Sequence, residues 1–297
     1  MKYKISPLPV RDGISPNHIW LPAGDWSSML AFLVQRFPEI ETSRWLDRMA
    51  KKEVVDEQGV VIDSQTPFRA GARLYYYREL EAECIIPFEE KIIYQDEHIV
   101  VADKPHFLPV APSGRFLKET LLARLKRKLG IDHLVPMHRI DRETAGLVIF
   151  STNVVTRNAY HALFREHRIV KTYQALAKFD DSRQFPFTYR SRIVEAEEFY
   201  RRQEGVGTPN AETLIDLLGI REDMALYKLM PVTGKTHQLR VHMAALGMPI
   251  LNDPYYPQLT SWKGDDFTRP LQLLAREIEF TDPVTSERRY FVSDRAL

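Results

Sequence analysis

One carboxylate stands among cations in residues 138–150, which read HRIDRETAGLVIF. Asp141 lies between Arg139 and Arg142, and the apolar run that follows is typical of a strand. Two neighbouring positive charges favour the ionised form of a carboxyl and lower its pKa, which suits a nucleophile better than a general acid. No second acid stands at a spacing that suggests the carboxyl pair of a glycoside hydrolase. The alternative is an aspartate in a surface ion pair.

A tyrosine follows this stretch in a segment with the alternation of a strand, KTYQA at residues 171–175. The ring of Tyr173, close to the basic Lys171, could stack on a nucleobase while its hydroxyl finds a polar partner. The alternative is an aromatic side chain that packs in the core or at a sheet edge.

A third segment, PVTGKTHQLRVH at residues 231–242, predicts a turn followed by a helix that Thr236 caps. Arg240 would lie beside the apolar stripe of this helix and be partly buried, so it needs an anion. The alternative is a structural ion pair. His237 and His242 are five residues apart rather than four, so no zinc site is expected.

In this order, the three segments resemble the pseudouridine synthases of the large family that includes the bacterial ribosomal-RNA and transfer-RNA uridine isomerases. The resemblance runs from about Ile92 to Pro257, and we expect it to continue to the C-terminus. The family's His-Arg-Leu-Asp, two variable residues and Thr-Ser-Gly-Leu stand here as HRIDRETAGL, and its Lys-x-Tyr-x-Ala as KTYQA. Its Gly-Arg/Lys-Thr-His-Gln-Leu-Arg-Val-His stands as GKTHQLRVH. The loop HFLPVAP at 106–112 departs from the family's Gly-Leu-x-Val-His-Pro, so no substrate contact is carried over to it.

The resemblance implies that uridine in RNA loses its C1′–N1 bond, that the uracil turns, and that C5 bonds to C1′. Asp141 would attack C1′ or take the C2′ proton, and both routes stay open. Arg240 would keep Asp141 ionised, and Tyr173 would stack on the extruded uracil. Arg240→Met is expected to lose turnover but to retain the fold. The reaction is redox-neutral, and neither a metal nor an organic cofactor is implied.

RNA contacts are also expected from the resemblance, and Arg139 would fill the space that the flipped uridine leaves. The expected RNA-binding residues are His138, Arg139, Arg142, Lys171 and His237. Three basic patches support a polyanionic partner, although each could be solvated surface. They are Arg124/Lys126/Arg127/Lys128, Arg165/Arg168/Lys171 and Arg201/Arg202.

Composition limits the protein class. A hydrophobic content of 44% predicts a globular protein, and the 41 basic against 40 acidic residues mean that RNA contacts depend on local patches. The single Cys84 excludes an intramolecular disulfide and fits the cytoplasm. No apolar run predicts a signal peptide or a membrane helix. The expected state is a monomer that binds RNA without an obligate protein partner.

The spacing of apolar residues predicts two domains of the α+β class. Residues 86–297 would form the catalytic domain, a mixed, largely antiparallel sheet with flanking helices as in the pseudouridine synthase fold. Residues 1–85 would form a small module, in which helices capped by Asp25 and by Thr42 or Ser43 lead into a hairpin, Val54–Val55 with Val60–Ile62, and a strand at 74–77. It weakly resembles the small RNA-binding module of a ribosomal protein, and a structural lead-in domain is the alternative.

Four other functions compete with ribosomal-RNA isomerisation. The same chemistry could act on transfer RNA, or the chain could be a non-catalytic RNA-binding or ribosome-assembly protein. A base-releasing glycosidase would produce free uracil. A protein kinase is disfavoured, because its catalytic loop reads His-Arg-Asp without an intervening residue and its other motifs are missing.

Overall fold

The protein divides into two compact units in a computed structural model that describes residues 6–80, 82–198, 200–260 and 266–297. The first unit comprises residues 1–83 with 123–132, and the second comprises residues 84–122 with 133–297. The sequence places 123–132 in the second domain. In the structure this segment groups with the first unit, where Lys126 Nζ donates a hydrogen bond to Ser15 Oγ at 2.7 Å.

The first unit packs two helices against a small antiparallel sheet with the order β1-β3-β2. Trp45 and Leu74 are fully buried in the core between them. The elements are β1 (Asn17–Trp20), α1 (Met29–Arg36), α2 (Thr42–Ala50), β2 (Val54–Asp56) and β3 (Arg73–Tyr76).

Three local predictions for this unit differ from the structure. The α1 helix is capped by Ser28, whose hydroxyl accepts a hydrogen bond from Ala31 N, rather than by Asp25. The N-cap of α2 is Glu41, which makes no side-chain cap bond. The predicted strand at 60–62 is reduced to a single bridge, because the Asp56 carboxylate binds the N–H groups of Gln58 and Val60 and closes a local loop instead.

The second unit is built on one large sheet with helices beside it. Its first elements are β4 (Lys91–Gln95), β5 (Ile99–Lys104), β6 (Val135–Pro136), β7 (Ala145–Ser151), α4 (Arg157–Arg165) and β8 (Val170–Lys178), and α3 (Leu121–Leu129) begins in this unit and continues into the first. The rest are β9 (Phe187–Glu195), β10 (Arg202–Gly205), β11 (Ala211–Arg221), β12 (Met224–Pro231), α5 (Gln238–Ala245), β13 (Leu273–Thr281) and β14 (Arg288–Val292).

The strand order of the large sheet is β10-β9-β11-β12-β8-β13-β7-β5-β4, with β14 paired to β13 and β6 to β7. All pairs are antiparallel except β13 with β7, which is parallel. The predicted α+β class with a mixed, largely antiparallel sheet is therefore confirmed. None of the helices in the described ranges has both the length and the apolar character needed to cross a bilayer.

Candidate active site

The parallel contact between β13 and β7 sets the distance between two of the predicted site segments. Tyr173 on β8 pairs with Ala275 on β13, and Ala275 pairs in turn with Gly146 on β7. A Cβ on Gly146 would lie 2.2 Å from the Ala275 carbonyl oxygen, and its φ is +111°, so only glycine allows this approach. Tyr173 and the start of β7 are therefore two strand spacings apart, roughly 10 Å.

Asp141 lies in the turn that leads into this fully buried β7 strand. The N–H of Thr144 donates a hydrogen bond to the Asp141 carbonyl at 3.2 Å and fixes the turn. The Asp141 side chain is 23% exposed, so its carboxylate can meet a ligand while the backbone below it is rigid.

Arg240 reaches Asp141 from helix α5. Leu239 and Met243 of α5 pack in the core cluster on the β8 and β12 face of the sheet, and this packing directs Arg240 toward the β7 turn. The Arg240 side chain is 1% exposed, and its Nη1 donates a hydrogen bond to Asp141 Oδ2 at 3.1 Å. The structure thus brings together two residues that are 99 positions apart in the chain.

Two further carboxylates contact the same guanidinium. Asp253 accepts from Arg240 Nε at 2.8 Å and from Nη2 at 2.7 Å, and Glu143 Oε2 lies 3.4 Å from Nη1. Both acids are buried. Glu143 occupies a variable position of the family motif and Asp253 follows it by more than a hundred residues, so sequence spacing does not associate them. The one sequence signal for Asp253 is its position at the end of GMPILND, residues 247–253, which follows the third segment.

The charges around Asp141 determine its protonation. Burial favours the neutral acid, but positive charge at His237 and Arg240, with the Arg240 hydrogen bond and Lys104, lowers the pKa of Asp141 below its usual value. Burial and the charge of Asp141 raise the pKa of Tyr173 well above its usual value, so its hydroxyl keeps its proton. Asp141 is therefore an anion beside a neutral phenol.

His237 faces the second oxygen of Asp141. Its Nε2 lies 3.8 Å from Asp141 Oδ1, and its Nδ1 shares a hydrogen bond with the Tyr256 hydroxyl at 3.0 Å. His237 is the N-cap of α5 in a left-handed conformation, and the predicted cap by Thr236 does not form. Gln238 holds this loop instead, because its Oε1 accepts from Lys235 N and from Thr233 Oγ1.

Lys104 is a buried cation that the motifs do not indicate. Its side chain is inaccessible, and Nζ donates to the carbonyls of Pro105 and Arg142, both at 3.0 Å. Burial lowers the pKa of Lys104 to about 7, against the opposing charges of Glu143 and Asp141. The hydrogen bond to the Arg142 carbonyl connects the end of β5 to the Asp141 turn.

The five predicted RNA contacts have different environments. Arg139 is exposed, and neither it nor Lys171 has an ion-pair partner within the residues that the structure describes. Arg142 Nε donates to Glu143 Oε1 at 3.0 Å. His138 stacks on Phe164 and accepts a hydrogen bond from Ile149 N, and burial lowers its pKa to about 3, so it is neutral. Among the predicted RNA contacts, Arg139 and Lys171 are thus the cations best able to meet a phosphate.

Much of the charge in the three basic patches is already paired. Arg127 lies 3.5 Å from Asp12, Arg165 and Arg168 share Glu166, and Arg201 and Arg202 lie near Glu198 and Glu195. Exposed pairs of this kind are weak and can exchange for phosphate.

Asp141 and its partners line a cleft of about 720 Å³, large enough for a nucleotide. Asp141, Arg240, Tyr173 and His237 lie on its wall together with the apolar Pro231, Leu239 and Leu273. The cationic residues of the lining are Arg139, Arg142, Arg165, Lys171, Arg240 and Lys235. In the described ranges no three His, Cys, Asp or Glu side chains form a group that could hold a metal ion.

Comparison with known proteins gives consistent results. The profile of the family described as RNA pseudouridylate synthase matches residues 98–245. The dual-specificity RNA pseudouridine synthase RluA of Haemophilus influenzae is 33% identical over 205 residues, which are 67% of this chain and 90% of that protein. The tRNA pseudouridine(31) synthase of Saccharomyces cerevisiae is 32% identical over 186 residues, 56% of this chain and 46% of the yeast protein.

A solved structure has a similar fold. Human RNA Pseudouridylate Synthase Domain Containing 1 superposes with a TM-score of 0.57 at 23% identity, covering 70% of this chain and 84% of the human one.

Proposed function

The chain belongs to the RNA pseudouridylate synthase family, and from this we infer which reaction takes place in the cleft. The protein is an RNA pseudouridine synthase, an isomerase that converts uridine in RNA to pseudouridine. One observation supports the roles that we propose for individual residues: Arg240 and Asp141 form a 3.1 Å hydrogen bond on the wall of a nucleotide-sized cleft.

The proposed roles follow from charge and access. Asp141, ionised and 23% exposed, attacks C1′ or removes the C2′ proton of an extruded uridine. The C1′–N1 bond breaks with its electron pair on N1, and the uracil turns against the ring of Tyr173. C5 then bonds to C1′ as the Asp141 ester is displaced or, in the other route, as the proton returns to C2′; the C5 proton leaves and N1 gains a proton. The apolar wall excludes water, which would otherwise hydrolyse the intermediate and release uracil.

The experiment that tests this function is tritium release from RNA labelled at C5 of uridine. Purified protein is expected to release tritium and to produce pseudouridine in the digested RNA without free uracil. Free uracil would indicate a glycosidase, and binding without release would indicate a non-catalytic RNA-binding protein.

The RNA target is proposed to be ribosomal RNA, with transfer RNA as the alternative. The small first unit supports ribosomal RNA, whereas the yeast relative is named for transfer RNA. Mapping pseudouridines in RNA from cells that lack the gene distinguishes the two. We further propose that the protein acts in the cytoplasm as a monomer, without a cofactor or an obligate protein partner.

Lys171 gives a prediction for RNA binding. Lys171→Met is expected to weaken RNA binding about 3- to 10-fold at moderate salt and to make the slope of log K against log salt less negative by about 0.7 to 1, because one phosphate contact is lost. Filter binding at several salt concentrations measures both values. Lys178→Met, on the same strand but outside the cleft, is the matched control. An unchanged slope for Lys171→Met would exclude this phosphate contact.

A further inference from the structure

Glu143 is a carboxylate without access to solvent, two residues after Asp141. Its side chain is 4% exposed, and a buried carboxylate is retained only with close positive partners. Arg142 Nε is one of them, at 3.0 Å from Oε1. Another is Arg240, whose Nη1 lies 3.4 Å from Oε2.

The nitrogens of Arg240 are divided unequally among its three acids. Asp253 accepts hydrogen bonds from Nε and Nη2 of Arg240 in a bidentate pair. This pair does not involve Nη1. Nη1 carries two hydrogens and faces both Asp141 at 3.1 Å and Glu143 at 3.4 Å. Asp141 and Glu143 therefore share one donor nitrogen of a single cation.

The proposed reaction changes the charge of only one of these two acids. If Asp141 attacks C1′, its carboxylate becomes a neutral ester; if it takes the C2′ proton, it becomes a neutral acid. By either route Arg240 Nη1 loses its anionic partner at Asp141 while it stays buried. Asp253 still holds Nε and Nη2, but a buried Nη1 donor left without an acceptor is costly unless another carboxylate is in reach of that nitrogen.

We propose that Glu143 is a positioning residue that holds Arg240 Nη1 when Asp141 gives up its charge to the substrate. In the free enzyme, Glu143 draws part of Nη1 away from Asp141, so that Asp141 is less tightly neutralised and more reactive. In the intermediate, Glu143 keeps Arg240 in the place that Asp141 needs when the product forms. This inference rests on the proposed role of Asp141.

The test compares Glu143→Gln with the wild type over a range of RNA concentrations up to saturation, so that kcat and KM are measured separately. Glutamine keeps the size and an acceptor oxygen but not the charge. The expected result is a kcat about 10- to 100-fold lower, because the geometry of the reacting carboxylate is no longer maintained. KM and RNA Kd are expected to be unchanged, since Glu143 is buried away from bulk RNA.

The matched control is Asp282→Asn, a buried carboxylate paired with Arg289 that is not part of the cleft lining. It is expected to lower Tm without lowering kcat, which separates the loss of a buried charge from the loss of positioning. If Glu143→Gln does not fold, Glu143→Asp replaces it: the shorter side chain withdraws from Arg240, and kcat should still fall.

The role of Glu143 would be overturned if Glu143→Gln, or Glu143→Asp in its place, had the wild-type kcat. It would also be overturned if kcat fell only as much as in Asp282→Asn. Either result would leave the isomerase assignment intact. Absence of tritium release from the wild type would instead overturn the proposed function, and the role of Glu143 with it.

Discussion

Asp141→Asn is expected to abolish isomerisation, with kcat lower by at least about a thousandfold, while RNA binding is retained. Asparagine fills the same space and can still accept a hydrogen bond from Arg240, but it carries no charge and is neither a nucleophile nor a base of useful strength. Single-turnover tritium release measures the rate, and filter binding measures the RNA Kd.

The control for Asp141 is Asp180→Asn. Asp180 also pairs with an arginine, Arg183, and its side chain is also 23% exposed, but it is not part of the cleft lining. This variant is expected to keep the wild-type rate. An Asp141→Asn protein with full activity would remove Asp141 from the mechanism, and one that no longer binds RNA would assign it a binding role instead.

Arg240→Met is expected to lose most of its turnover and also stability, which adds a lower Tm to the expectation from the sequence that turnover is lost while the fold is retained. The reason is that Asp253, with a side chain that is 0% exposed, and Glu143 would be left as buried anions without Arg240. Breaking a buried pair in this way costs about 3–5 kcal/mol. At about 2–4 °C per kcal/mol for a domain of this size, Tm should fall by roughly 10 °C.

Two further variants serve as comparisons for Arg240→Met. Arg240→Lys keeps a charge near the acids but cannot pair with Asp253 by two nitrogens and also reach Asp141, so it should recover part of the Tm while kcat stays low. Arg183→Met breaks the more exposed pair with Asp180 and should lower Tm much less than Arg240→Met does. An unchanged Tm in Arg240→Met would contradict the stabilising role of Arg240, and an unchanged kcat would exclude it from catalysis.

Local patterns in the sequence predicted several elements well. The alternation of KTYQA at 171–175 predicts a strand, which forms within β8, and the strand predicted at 74–77 forms as β3. Side-chain periodicity is a property of neighbouring residues, so it can be read along the chain. Helix ends are less predictable, because caps depend on single side-chain hydrogen bonds such as that of Ser28.

Elements that depend on distant partners were not predictable in the same way. Strand β1 has its partner β3 more than fifty residues later, and nothing in its own four residues identifies that partner. The charge patches are a second case: Lys126 is an ordinary surface lysine by sequence, yet it is 5% exposed and bonded to Ser15 in the structure. Long-range packing determines both.

The reactive groups can be identified from the amino-acid sequence: a carboxylate among cations, a tyrosine on a strand and an arginine on a helix, in the order of one enzyme family. The folded structure was needed to show that Arg240 donates hydrogen bonds to three acids, which lie 13, 97 and 99 positions away from it. The physical reason is that side-chain chemistry belongs to each residue. The sharing of one buried guanidinium, in contrast, arises only when a parallel strand pair and a packed helix bring those residues together.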